Sequence, residues 1–218
     1  MMTGEGMEIL YKGDAMGRII FSYRIVYDMG FAPCIDNDIF TLACCKGGQI
    51  RNGKNIITGL RYHVGQHYYK NPGDEIYLFG IYKNGMLYYA RITDVITMNE
   101  YFSTRGKSVY GGRTDQIYDA EAGMLKRNDS LPHIHPKGSV QNEQDRNGHY
   151  VLVSREFTYF GKNAPAIDAE ILRMLPKNRE VKRYTDSCSE HEIIHSYAMG
   201  LIGSFQGVIG VPHDSIYD

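Results

Sequence analysis

The stretch Pro72–Phe102, PGDEIYLFGIYKNGMLYYARITDVITMNEYF, constrains the fold more than any other part of the chain. Two runs rich in Ile, Leu, Tyr and Phe, Ile76 to Tyr82 and Met86 to Val95, flank Asn84-Gly85. An Asn-Gly pair supplies the positive φ angles of a tight turn, so the second run folds back on the first as an antiparallel hairpin. Pro72-Gly73-Asp74 gives the hairpin a sharp entrance. Thr97 and Glu100 have capping-box spacing, which predicts a short helix where the second strand ends.

The rest of the chain has the size and apolar content to cover that hairpin. Its 218 residues, 43% of them hydrophobic, suit one large domain with a real core. Lys and Arg number 24 against 25 Asp and Glu, which excludes a uniformly basic nucleic-acid binder but not a local basic face. Tyr occurs 18 times and Trp never, and tyrosine serves both strands and base stacking. Cys34, Cys44, Cys45 and Cys188 form no CxxC pair, so the expectation is reduced thiols in the cytoplasm. Glu5, Glu8, Lys12 and Asp14 interrupt the first residues, and residues 1–17 read as a flexible leader without a signal peptide. No stretch reaches the roughly twenty apolar residues of a membrane span.

Residues 18–28, RIIFSYRIVYD, alternate as a strand with Ile19, Phe21, Tyr23, Ile25 and Tyr27 on one face. Asp28 closes it, either as a turn initiator or as an acid–base group at a strand end. Phe40 to Cys45 is a second short strand. From Ile39 to Gly73 there is no acidic residue, while Lys46, Arg51, Lys54, Arg61 and Lys70 alternate with Phe40, Tyr62, Tyr68 and Tyr69. Phosphate attraction plus base stacking needs that mixture; a solvated basic loop has it too. Lys46-Gly47-Gly48 and Asn52-Gly53 would let backbone N–H groups approach a phosphate, although the P-loop spacing is absent.

Ser103 to His149 reads as a long polar, irregular insertion, either a lid or recognition loop over a site or a merely mobile insertion, with Asp115-Gln116-Ile117-Tyr118 as a local turn or short strand. Beyond it lie strands at Tyr150–Ser154 and Glu156–Phe160, a helix from Ala166 to Leu175, and a second basic cluster of Lys177, Arg179, Lys182 and Arg183. A last helix from Glu190 to Ile202 carries Ile194, Tyr197, Ala198 and Leu201 on one face, and a Gly-rich tail follows. That helix opens on His191-Glu192-Ile193-Ile194-His195. This HExxH pattern puts two histidines on one face for zinc, with the Glu beside a bound water. A third histidine six residues on is lacking, and Ser189 with Glu192 has capping-box spacing, so zinc hydrolysis is the lesser reading. His133-x-His135 with His149 is a further metal candidate without fixed geometry.

Several pieces in order carry a resemblance. They are Tyr27-Asp28-Met29-Gly30-Phe31-Ala32-Pro33, Thr41-Leu42-Ala43-Cys44-Cys45-Lys46, Gly73-Asp74, Tyr89-Ala90-Arg91-Ile92-Thr93, Asp115-Gln116-Ile117-Tyr118 and Phe157-Thr158-Tyr159-Phe160-Gly161. The chain resembles the second type of nucleotide modification associated domain, as a single domain over 18–218 with the insertion at about 103–149. It departs from the pattern at Gly47-Gly48, where the family has a proline. The resemblance implies a context more than a reaction: phage and bacterial systems that modify or police DNA bases.

The fold expected is α+β, a curved, largely antiparallel sheet or a small PUA-like barrel inferred from strand order, with C-terminal helices packed on it. The first functional expectation is recognition of a nucleic acid or nucleotide, modified bases included. Lys46, Arg51 and Arg61 would hold phosphate, and Tyr23, Tyr27, Tyr159 and Phe160 would contact a base. The alternative is an enzyme acting on a nucleotide or nucleobase with Asp28 as its acid–base. The lesser one is the zinc hydrolase of His191, Glu192 and His195.

Overall fold

The computed structural model describes residues 16–51, 54–131 and 140–214. The first half runs β1 (Arg18–Ile25), β2 (Phe40–Leu42), β3 (Gly48–Arg51), β4 (Lys54–Thr58), α1 (Leu60–Lys70), β5 (Glu75–Tyr82), β6 (Gly85–Arg91) and β7 (Asp94–Thr97). Then come α2 (Met98–Tyr101), α3 (Thr104–Tyr110), β8 (Tyr118–Glu121), β9 (Met124–Arg127) and α4 (Val140–Asn147). The chain closes with β10 (Tyr150–Ser154), β11 (Glu156–Tyr159), α5 (Ala169–Met174), β12 (Val181–Thr185), α6 (Ser189–Ile202) and β13 (Gly207–Val208).

The α+β class holds. A six-stranded sheet has the order β12-β1-β5-β6-β11-β13, and a three-stranded sheet has the order β2-β10-β7. Among the described residues the larger sheet ends at β12 and β13, so of the two forms expected, a curved sheet or a small barrel, it is an open sheet and not a closed barrel. Pairing is largely antiparallel, as expected, apart from the short β11–β13 pair and, above all, β1 and β5. They pair parallel, from Arg18 opposite Glu75 to Ile25 opposite Tyr82, and a parallel pair needs a crossover. Residues 26–74 supply it, with α1 inside.

The alternation of β1 sets the layers. Ile19, Phe21, Tyr23 and Ile25 share a core with Phe40, Leu42, Val95 and Leu152 of the smaller sheet and with Leu60 and Val64 of α1. Ile20 faces the other way, into a core with Ile171 of α5 and Ile194, Ala198 and Ile202 of α6. A third cluster, with Val151, Val153, Ile96, Tyr101, Phe102 and Tyr118, covers the outer face of the smaller sheet.

The hairpin forms as β5 and β6, but its turn lies one residue earlier than the Asn-Gly signal implies. Tyr82 pairs with Gly85, so Lys83-Asn84 makes the turn, and the positive φ, 52°, falls on Lys83. Gly85 is a strand residue that allows close approach: an added Cβ would stand 3.1 Å from the Ala164 side chain. The capping-box reading of α2 holds, since Thr97 Oγ1 accepts from the Glu100 N–H at 3.1 Å. The stretch read as an irregular insertion contains α3, the β8–β9 hairpin and α4, and it buries Asp115, Ile117 and Tyr118.

Within the hairpin, the Tyr88 ring lies across Gly80. A Cβ on Gly80 would stand 2.2 Å from a ring carbon, and both residues are fully enclosed. We expect Gly80→Ala to push the ring out and destabilise the protein by about 1–3 kcal/mol, the usual cost of overpacking a core. A urea midpoint equal to that of the parent would show that the ring has room to move.

Candidate functional site at the carboxyl ends of the parallel strands

In open α/β sheets, ligands bind in the crevice beyond the carboxyl ends of the parallel strands, and the β1–β5 pair reproduces that arrangement locally in this mixed sheet. Here β1 and β5 end side by side at Ile25 and Tyr82. A cavity of about 520 Å³ opens at that place. It is walled by Arg24, Ile25 and Val26, by Tyr82 and Lys83, and by the loop Lys177-Asn178-Arg179 before β12. Four of these side chains are cations and none is a carboxylate.

Arg24 fixes the walls to each other. Its Nε donates to the Pro176 carbonyl at 2.7 Å and its Nη1 to the Lys83 carbonyl. The Lys83 ammonium rests over the Tyr82 ring, 5.2 Å from its centroid. Lys177 and Arg179 are exposed and form no ion pair among the described residues. Lys46, whose backbone is left-handed (φ 52°), reaches the Arg24 carbonyl at 3.5 Å and lies 4.9 Å from the Tyr23 ring centroid. Burial pushes the Lys46 ammonium below the ordinary lysine value, and the Arg179 charge acts in the same direction.

A network of acids and phenols adjoins the cavity through Tyr82. The Tyr82 hydroxyl donates to Asp214 Oδ2 at 3.1 Å, and its ring stacks on His213 at 4.4 Å. The Asp28 N–H donates to Asp214 Oδ2 at 2.9 Å, and the Asp214 N–H returns a bond to the Asp28 carbonyl at 2.8 Å. Asp28 itself is buried. Its Oδ1 accepts from the Tyr159 hydroxyl at 2.6 Å and its Oδ2 from the His213 N–H at 2.9 Å. Burial pushes the Asp28 carboxyl up, against the pull of those two donors, and pushes the Tyr159 phenol up as well.

The structure brings only some of the sequence-derived candidates to this place. Lys46 and Asp28 lie behind its walls, Lys46 against the Arg24 carbonyl and Asp28 joined to Tyr82 through Asp214, and Tyr27 is 67% exposed on the same loop that carries Val26. Tyr23 and Tyr159 are enclosed, and Phe160 is 8% exposed. The Tyr23 and Tyr88 hydroxyls bond to each other. Such rings offer no open face to a base. Arg61 is fully buried, with its guanidinium spent on the carbonyls of Cys45, Tyr150 and Asp145, so it reaches no phosphate at the surface. Arg51 lies on β3, and its side chain is outside the described residues. Gly47 serves packing: an added Cβ would stand 1.7 Å from the Gln144 carbonyl oxygen, which leaves no approach for a phosphate.

The HExxH residues are used elsewhere. The His191 Nδ1 faces Asp186 Oδ1 at 3.4 Å, His195 Nδ1 meets the Tyr89 hydroxyl at 2.7 Å, and Glu192 accepts from Arg18 at 3.1 Å. The capping box of Ser189 and Glu192 does not form: Cys188 is the N-cap of α6, and Glu192 accepts from the Ser196 hydroxyl. Among the described residues no three His, Cys, Asp or Glu side chains gather as a metal site, and His133 and His135 lie outside them.

Sequence reasoning missed Arg24 and Lys83 as site residues. The signals were present: Arg24 sits on the second face of the alternating strand, and Lys83 adjoins the hairpin's Asn-Gly. The second basic cluster pointed at Lys177 and Arg179. Among the described residues no helix is long and apolar enough to cross a membrane. The family model described as nucleotide modification associated domain 2 matches residues 17–215. Nothing matches among curated proteins or solved structures.

Proposed function

This chain belongs to the nucleotide modification associated domain 2 family, and on that premise we propose that it binds a nucleotide, free or within a strand, by its phosphate in the cavity at the ends of β1 and β5. The observation that carries the reading is a cavity with four cationic side chains and no carboxylate, placed where parallel strands present their ligands. Arg24 is a fixed charge held by two carbonyls. Lys83, Lys177 and Arg179 are free to close on an anion, and Lys46 adds charge from beneath. Val26 and Tyr27, both exposed beside the cavity, supply an apolar step and a ring on which the base rests. Recognition in this form serves DNA base modification or defence against phage, the context that the family's description supports in its broad part, nucleotide modification.

Lys177→Ala and Arg179→Ala test this cleanly, because neither side chain holds the fold together. Each should weaken binding of a fluorescent nucleoside triphosphate by about 1–3 kcal/mol, the worth of a charge-assisted contact. With a single strand of DNA, each should also reduce the log–log salt slope by about one unit. Undiminished binding in the double variant would sink the reading.

A second reading, an enzyme acting on the bound nucleotide or nucleobase, is favoured by one observation. Burial displaces the Asp28 carboxyl upward and the Lys46 amine downward, the pattern of acid–base groups. Product formation lost in Asp28→Asn, with nucleotide binding kept, would support it.

A further inference from the structure

A second cavity, of about 300 Å³, shares no residue with the first. Tyr62 of α1, Met98 and Asn99 of α2, Leu125 of β9, Arg146 of α4 and the pair His149-Tyr150 enclose it. We propose that it is a binding site for an unpaired nucleobase of a single-stranded nucleic acid.

Three rings form its walls. The Tyr62 centroid is 5.7 Å from that of His149 at 63° and 6.3 Å from that of Tyr150 at 42°. Tyr62 and His149 meet edge to face, a favoured ring contact, and all three rings border the cavity. Tyr150 is a fixed wall. Its hydroxyl accepts from Gln66 Nε2 at 2.9 Å, and its ring lies so close on Gly65 that an added Cβ would stand 2.2 Å from it.

His149 is the informative residue. Its φ is 59°, in the left-handed region that costs a side-chain-bearing residue about 1–2 kcal/mol and that glycine enters freely. The turn already uses Gly148. Yet the exposed His149 imidazole makes no hydrogen bond among the described residues, and its ring contact is with Tyr62 at the cavity. The fold gains little from this imidazole, whereas a stacked ligand would gain a platform.

Charge selects the ligand. Aromatic cages commonly take cations, but the exposed Arg146 stands in this one and no carboxylate lines it. A flat, uncharged group attached to a phosphodiester satisfies both rings and guanidinium. Asn99 and Thr97 provide donors and acceptors for a base edge. A volume near the lower end of the range for small-molecule sites, about 300–1,000 Å³, suits one base and not a stacked pair.

The experiment uses the full chain and a single-stranded oligonucleotide carrying one 2-aminopurine, whose fluorescence falls when the base stacks. The parent should quench it, and a fully paired duplex of the same sequence should not be quenched. Tyr62→Ala and His149→Gly should each weaken binding by about tenfold. His149→Gly should do so without lowering Tm, because glycine relieves the left-handed strain; a purely structural histidine would lower Tm and leave the quenching alone. Absence of quenching by the parent, or quenching unchanged in both variants, overturns the proposal. The Lys177→Ala, Arg179→Ala double variant separates the two sites: quenching retained there with triphosphate binding lost supports both, and quenching lost there but kept in Tyr62→Ala overturns the base site alone.

Discussion

Arg61→Ala should lower the stability of the protein by about 3–5 kcal/mol, the cost of breaking a buried charged network. The side chain is fully buried, and three segments depend on it. Its Nε donates to the Cys45 carbonyl at 2.7 Å, its Nη1 to the Tyr150 carbonyl at 2.7 Å, and its Nη2 to the Asp145 carbonyl. The guanidinium also lies flat on Gly148, where an added Cβ would stand 2.3 Å from Cζ. Alanine strands three carbonyls in the interior and leaves the Asp145 carboxylate without the cation beside it, although that carboxylate keeps the Cys45 N–H at 2.5 Å and the Tyr118 hydroxyl at 3.3 Å. Arg61→Lys keeps the charge but cannot fork to three acceptors, and should fall between. Urea unfolding measures both. If Arg61→Ala unfolds at the parent's midpoint yet binds nucleotide less well, the residue is a ligand contact and not a staple.

That contrast explains what could be read in the sequence and what could not. The hairpin of β5 and β6 and the strands β10 and β11 are local patterns that form where expected, and the alternating first strand forms too but ends at Ile25 instead of Asp28; α6 forms, yet it buries Ile194, Ala198 and Ile202 while Leu201, expected on that face, is exposed. Helix α1 was hidden. Its N-cap is Gly59 with no side-chain bond, its first turn has no acid, and Gly65 stands in its middle because the Tyr150 ring presses there. Tertiary contact, not propensity, makes that helix. The parallel pairing of β1 with β5 was also hidden, since nothing local in either strand names its partner. The first cavity depends on that pairing, because it gathers Arg24, Lys83 and Lys177 from three distant parts of the chain. A basic run in sequence does not distinguish a cation facing solvent from one bonded to main-chain carbonyls. Arg61 and Lys177 look alike until the fold is known.

Asp28→Ala should cost about 3 kcal/mol, because it strands the buried Tyr159 hydroxyl and the half-buried His213 N–H. It should also loosen residues 212–214 from the end of β1, which proteolysis at the C-terminus would register. Asp28→Asn offers one acceptor oxygen where the carboxylate offers two, so it should cost less. Its use lies in pH. Burial pushes the Asp28 carboxyl up and the Asp214 carboxylate acts the same way, while the Tyr159 hydroxyl, the His213 N–H and the His213 charge pull it down; burial wins and lifts the folded Asp28 above its ordinary value of 3.8. A carboxyl lifted by folding binds its proton more tightly in the native state than in the unfolded one. Stability from this group is therefore fully present below the ordinary value and is lost as pH rises through the folded value. The free-energy gap between the parent and Asp28→Asn should widen as pH falls through the window just above 3.8. Urea unfolding of both proteins from about pH 7 to about pH 4 reads that gap. A gap that narrows on acidification would mean that the donors win over burial and that Asp28 is an ordinary ionised clamp. An acid–base role then loses its physical basis, since a general acid or base works best with a pKa near the operating pH. If instead the gap widens and Asp28→Asn keeps nucleotide binding, the carboxyl is poised for proton transfer at the edge of the cavity. The link to the bound nucleotide then runs through Asp214 and Tyr82, and Tyr82→Phe should break it without moving Asp28.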